Sequence, residues 1–137
     1  MTTLVPIQSH EVAENWHFAE RWVRESLRDA AMLETVESYK ARCIDGSAQL
    51  WLIKDGSCIG AVLTEVYDTP KGKTCGVPVA GCTDLERCFE VAVRTIRAWA
   101  ASFGCVRMES VATRLGWSRA LKAAGWRPIA VIIERDI

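Results

Sequence analysis

The sequence has no surplus of either charge: 17 lysines and arginines balance 17 aspartates and glutamates. It has no basic tail and no polybasic run, so neither nucleic acid nor an anionic membrane is an expected partner. No apolar run approaches the roughly 20 residues that span a bilayer, and the opening MTTLVPIQ is too short for a secretory leader. The expected location is the cytoplasm. Cysteine is not scarce, but metal-binding spacing is missing. Cys43, Cys58, Cys75, Cys82, Cys88 and Cys105 contain no C-x-x-C pair, whereas zinc sites favour two close pairs on turns. Most fall within expected strands or on helix faces and read as reduced thiols acting as small apolar residues, with no metal expected. Groups suited to proton transfer are few. His10 and His17 lie seven apart on the first expected helix and read as surface residues, and Tyr39 and Tyr67 are the only phenols. Repeats, low-complexity stretches and linkers are absent, which leaves one domain across residues 1–137.

Half of the residues are hydrophobic, enough for a real core in one compact unit. The chain is organised around Lys73 to Gly104, which reads as a strand, a tight turn and a long amphipathic helix. Leu85, Cys88, Phe89, Ala92, Ile96, Trp99, Ala100 and Phe103 recur at the spacing of one buried helical stripe. Thr83 followed by Glu86 reads as a capping box, and Gly104 stands where a left-handed residue closes the helix. The junction Ala80 to Asp84 is a place of chemical interest, because strand-to-helix turns readily hold phosphate.

Before it, LVPI reads as a short first strand with Pro6 near a sheet edge. Ser9 is the expected N-cap of a helix running to about Asp29 and burying Val12, Trp16, Ala19, Val23, Leu27 and Ala30. Phe18 and Trp22 lie off that stripe, so they either pack under a neighbouring helix or form a patch for a partner. Thr35 caps a second helix that Gly46 closes. Gln49 to Lys54 and Cys58 to Tyr67, joined through Asp55-Gly56, read as a hairpin, and Lys73 to Ala80 extends it into an antiparallel meander. Cys105 to Val111 follows a helical crossover and should run parallel to its neighbour. Ser118 to Ala124 is a short helix. Pro128 to Glu134 is nearly all apolar and reads as a final strand buried on both faces.

This order resembles the GNAT N-acetyltransferase superfamily over essentially the whole chain. Ala120-Leu121-Lys122-Ala123-Ala124-Gly125-Trp126 is similar to the family's A-L-Y-E-K-L-G-F stretch. QLWLIKDG, the AGC-x-D-L-E-R turn, AWAASFGC and GWSRALKAAGWR are similar to small GNAT-like proteins of tailed phages and prophages. The resemblance implies an α/β (α+β) fold: a mixed sheet of about six strands, an antiparallel meander plus a splayed parallel pair, flanked by about four helices. It also implies that acetyl-CoA would lie against Gly81, Cys82, Thr83 and Asp84. The family's turn reads Q/R-x-x-G-x-G/A. Here Gly81-Cys82-Thr83-Asp84-Leu85-Glu86 has one glycine, no leading Arg or Gln, and two carboxylates at the positive end of the helix dipole. Arg114 and Arg119 are the nearest basic residues by topology. The family's tyrosine acid falls at Leu121. Glu65 and Glu109 are candidate general bases if burial raises their pKa, the plainer reading of each being a solvent-side charge.

Three functions follow from the resemblance and its departures. The degenerate turn favours a catalytically silent domain with no cofactor, an assembly adaptor in tail or fibre attachment that could be carried in a phage virion. It would contact phage structural proteins or itself through Phe18 and Trp22, with the carboxy-terminal strand as a second surface. The alternative is an acetyl-CoA-dependent N-acetyltransferase of relaxed motif. The third is a ligand- or peptide-binding module using the cleft between the splayed strands. Trp51, Trp99 and Trp126 are expected in the core.

Overall fold

A computed structural model describes residues 1–28, 34–111, 115–131 and 133–137. In chain order these form β1 (Thr3–Ile7), a 3-10 turn (Ser9–Glu11), α1 (Val12–Leu27), α2 (Val36–Asp45), β2 (Gln49–Asp55), β3 (Ser57–Thr69), β4 (Gly72–Cys82), α3 (Leu85–Ser102), β5 (Arg107–Ser110) and α4 (Leu115–Ala123). The strands make one five-stranded sheet in sequence order. Pairs β1 to β4 are antiparallel, and β5 is parallel to β4.

Period-two alternation divides the molecule into three layers. Leu50 and Leu52 join one cluster with Trp16, Val23 and Tyr39, so α1 and α2 cover that face. Trp51 and Ile53 point the other way, into a cluster with Ala92, Ile96 and the edge of Trp117, so α3 and α4 cover the opposite face. The Trp51 indole N–H would be costly to bury unpaired, and it donates to Thr64 Oγ1 at 2.9 Å.

Helix ends follow local chemistry. Thr35 and Ser38 exchange side-chain-to-backbone hydrogen bonds of 3.0 and 2.9 Å, and Gly46 closes α2 at φ +86°. Two expected caps move. Ser9 opens a 3-10 turn, and α1 begins at Val12. At α3 the cap is Asp84, not Thr83. The Thr83 N–H donates to Ile59 O at 2.9 Å and so prolongs the β3–β4 pairing, which delays the helix by one residue.

The bulge in β4 positions everything that follows. Leu63 faces Val79 and Glu65 faces Gly76, so Val77 and Pro78 together oppose the single residue Thr64. Pro78 has no N–H to offer a ladder, and a bulge is where a strand tolerates that. Past the bulge the alternation is reset: Val77 and Ala80 both face α3, while Val79 faces α1.

Two sequence expectations are overturned here. Trp22 is 4% exposed and belongs to the α1-side core, not to a contact patch, because α1 lies between β4 and α2 and buries more than one narrow stripe. Phe18 stays 44% exposed, with its ring 3.9 Å from that of His17. The final strand also fails to form within the described residues of 128–137. Ile129, Val131 and Ile133 are 57%, 84% and 87% exposed, and no sheet pairing includes them. Apolar composition marks a segment that would be buried with a partner; it does not supply the neighbouring edge. Ala30 and Arg114 lie outside the described residues.

Candidate functional site

The parallel pair is short. Thr74 to Val77 align with Arg107 to Ser110, where β5 ends, while β4 runs on past the bulge to Cys82; the gap this leaves beside Ser110 and Val111 is the fork. A strand that outruns its neighbour must find other donors for its carbonyls. Two serines provide them: Ser110 Oγ donates to Val77 O at 3.0 Å, and Ser26 Oγ, from α1, donates to Ala80 O at 3.3 Å. Neither serine carries a signal in the sequence, since each becomes meaningful only where β4 runs on past the end of β5. Between them is a cavity of about 10 Å³ with Pro78 and Val111 on its wall, the scale of a single water. Adjoining it is an apolar cavity of about 20 Å³ lined by Val62, Ile96, Met108, Leu121 and Trp126 among others. Trp117 of α4 borders both and meets the Phe89 ring edge-on at 5.4 Å.

On the α2 face beside the fork, polar side chains converge. Arg42 joins Glu65 at 2.5 Å and both oxygens of Glu34 at 3.2 Å. Tyr67 donates its hydroxyl proton to Glu109 Oε2 at 3.1 Å, and Arg107 binds both Glu109 and Thr74. Gly76 makes this cluster possible. A β-carbon there would stand 2.7 Å from Tyr67 Cε1 and 3.1 Å from Glu65 Cγ. The structure thus brings Glu65 and Glu109 to one face, with Tyr67 between them. Burial, then the hydrogen bond to Glu109, pushes the Tyr67 phenol up to about 12, so it stays protonated at neutral pH. The Arg107 guanidinium holds the Glu109 carboxyl below the usual carboxylate range, opposite to the direction a burial-raised base requires.

At the α3 N-terminus, Gly81 and Cys82 lie in the β3–β4 ladder and Thr83 and Asp84 are exposed. Asp84 accepts from the Arg87 N–H at 3.3 Å, and the Arg87 guanidinium is bound to Asp55. The remaining first-turn amides have no intrahelical partner by geometry and still aim a positive dipole outward. Gly60 is the unmarked residue here: a β-carbon would come 2.4 Å from Gly81 O, so glycine lets β4 approach β3 at the turn. Arg119 is exposed on α4. All six cysteines are free thiols, and burial pushes Cys43, Cys75 and Cys88 up to about 12, which disqualifies those three as nucleophiles. Among the described residues no cluster of His, Cys, Asp and Glu is placed to hold a metal, and no helix is long and apolar enough to cross a membrane.

No protein-family model matches the sequence, and no curated protein matches it. Solved structures do match. A predicted acetyltransferase from Clostridium acetobutylicum, solved with acetyl-CoA, superposes with a TM-score of 0.68 at 12% identity, over 99% of this chain and 96% of that one. The fold is the GNAT fold. A GCN5-related N-acetyltransferase from Ralstonia eutropha gives a TM-score of 0.66 at 18% identity over 99% of both chains. AAC(6')-Iy, in complex with the bisubstrate analogue CoA-S-monomethyl-acetylneamine, gives 0.66 at 16% identity over 100% and 99%. At such identities the likeness is one of fold. All three neighbours are named as acetyltransferases, the first as a predicted one.

Proposed function

We propose that this GNAT-fold protein is an N-acyltransferase that takes an acyl group from a CoA thioester in the β4–β5 fork and passes it to an amine arriving on the α2 face. The observation that carries this reading is the fork itself: β4 running on past the end of β5, apolar walls, and the hydroxyls of Ser26 and Ser110 on β4 carbonyls. The residues fit the thioester end well. They fit the phosphate end weakly, because the amides of the α3 N-terminus are shared with Asp84 and shadowed by Glu86. Acetyl-CoA would supply the acyl group, the C–S bond giving way to a C–N bond at the carbonyl carbon.

The chain's own groups then have distinct tasks. Glu109 stays ionised, attracts the cationic amine and fixes the Tyr67 hydroxyl. Glu65, paired with Arg42 but not engaged by the Tyr67 hydroxyl as Glu109 is, receives the proton that the amine must lose. Tyr67 stays protonated and holds Glu109 in place beside the amine, and the departing thiolate takes its proton from water. Thiol release from acetyl-CoA, measured with a panel of primary amines, tests the reading. Y67F and E65Q should each lose about 10²-fold or more in kcat, and equal rates in wild type and variants would sink the assignment.

One observation favours a second reading, a protein-contact module, for which a phage structural protein or a second copy would be the partner. Ile129, Val131, Ile133 and Ile137 form an exposed apolar tail, of a kind that protein partners commonly cover. A truncation ending at Arg127 that leaves both solubility and mass in solution unchanged would remove its support.

A further inference from the structure

We infer that Trp117 sets the length of the acyl group that the fork admits, restricting the protein to the shortest thioesters. This rests on the acyltransferase reading and goes beyond it by naming the residue that selects the substrate. The two cavities at the fork share four wall residues: Val77, Ala80, Ser110 and Trp117. The first three belong to β4 and β5. Trp117 alone comes from a helix, and its side chain borders both the polar cavity and the apolar one.

That side chain is braced. Phe89 meets Trp117 edge-on at 5.4 Å, and Leu121, one turn along α4, is buried against the same apolar cavity. Removing an indole from that position would join the two spaces into a chamber whose walls are Val62, Ile96, Met108 and Leu121. With the indole present, an acyl carbonyl at the mouth has room for little more than a methyl group behind it. Each added methylene in a filled apolar pocket changes discrimination by about 10- to 200-fold.

The test compares kcat/KM for acetyl-, butyryl- and hexanoyl-CoA in wild type, W117A and W117F, with direct binding of each thioester followed by calorimetry. Wild type should favour acetyl over hexanoyl by at least about tenfold, and W117A should raise the hexanoyl-to-acetyl ratio by about tenfold or more. W117F retains a ring against Phe89, guards against loss of folding in W117A, and should fall between them. A ratio unchanged from wild type in both variants overturns the inference while leaving the acyltransferase reading intact. Failure of every variant and of wild type to bind any CoA thioester overturns both.

Discussion

Serine in place of Asp84 probes the weakest part of the proposed donor site. Asp84 does two things at the α3 N-terminus: it accepts the Arg87 N–H at 3.3 Å, and it places a negative charge where a pyrophosphate would lie. Serine keeps a capping oxygen, so the helix should lose only a few tenths of a kcal/mol. The charge is removed outright. Two unit charges about 4 Å apart repel by about 1 kcal/mol even at the dielectric of water, and by more in a cleft. D84S should therefore bind acetyl-CoA about fivefold more tightly, and E86Q added to it should give a further, smaller gain. Calorimetry at about 10 mM and about 150 mM salt gives the diagnostic, because the gain must shrink as exposed charges are screened. Affinity in D84S equal to or below that of wild type at both salts would refute the electrostatic account of this turn.

Other outcomes follow from the same geometry. Trp22 is buried and Phe18 is not, so W22A should lose about 3–5 kcal/mol in denaturant unfolding and F18A less than about 1; equal losses would contradict the corrected placement. G60A would press a β-carbon to 2.4 Å from Gly81 O and 2.9 Å from Cys82 Cα, backbone atoms that cannot rotate away, and should cost about 1–3 kcal/mol or more; a neutral result would mean that the strands separate freely there. Glu109 has a folded pKa below its ordinary 4.5, so the folded state binds fewer protons than the unfolded one. Its contribution is present above pH 4.5 and is lost as pH falls through the lower folded value, so E109Q should flatten that acid limb. Tyr67 is the mirror case: its contribution is complete below pH 10 and is lost as pH rises towards 12, a decline that Y67F should abolish.

Much of the scaffold was legible because local signals and burial agreed. Asp55-Gly56 gave its hairpin with Gly56 at φ +76°, Thr35 gave its cap, and the helical crossover fixed β5 as parallel. The failures share a cause, which is that partners distant in sequence decide the outcome. Trp22 sits off the expected stripe, yet β4 and α2 close over it. Thr83 has the better capping-box spacing, but Ile59 O takes its N–H and moves the cap to Asp84. Pro128 to Glu134 has strand composition without an edge to join. In the site, the sequence picked out Glu65 and Glu109 but gave no reason to connect them with Tyr67. Two strands and the close approach over Gly76 make that connection. Ser26, Ser110 and Trp117 carry no catalytic pattern, and acquire roles only because β4 runs on past the end of β5.

The most direct test of the central claim is a nitrogen-15 NMR titration of the protein with acetyl-CoA. The account predicts saturable shifts at the Val77, Ser110 and Val111 amides and at the Trp117 indole, with a dissociation constant between about 10 μM and 1 mM. Shifts confined to other surfaces, or none at about 5 mM ligand, a concentration that would detect binding as weak as roughly 3–4 kcal/mol, would show that the fork is not where a thioester binds.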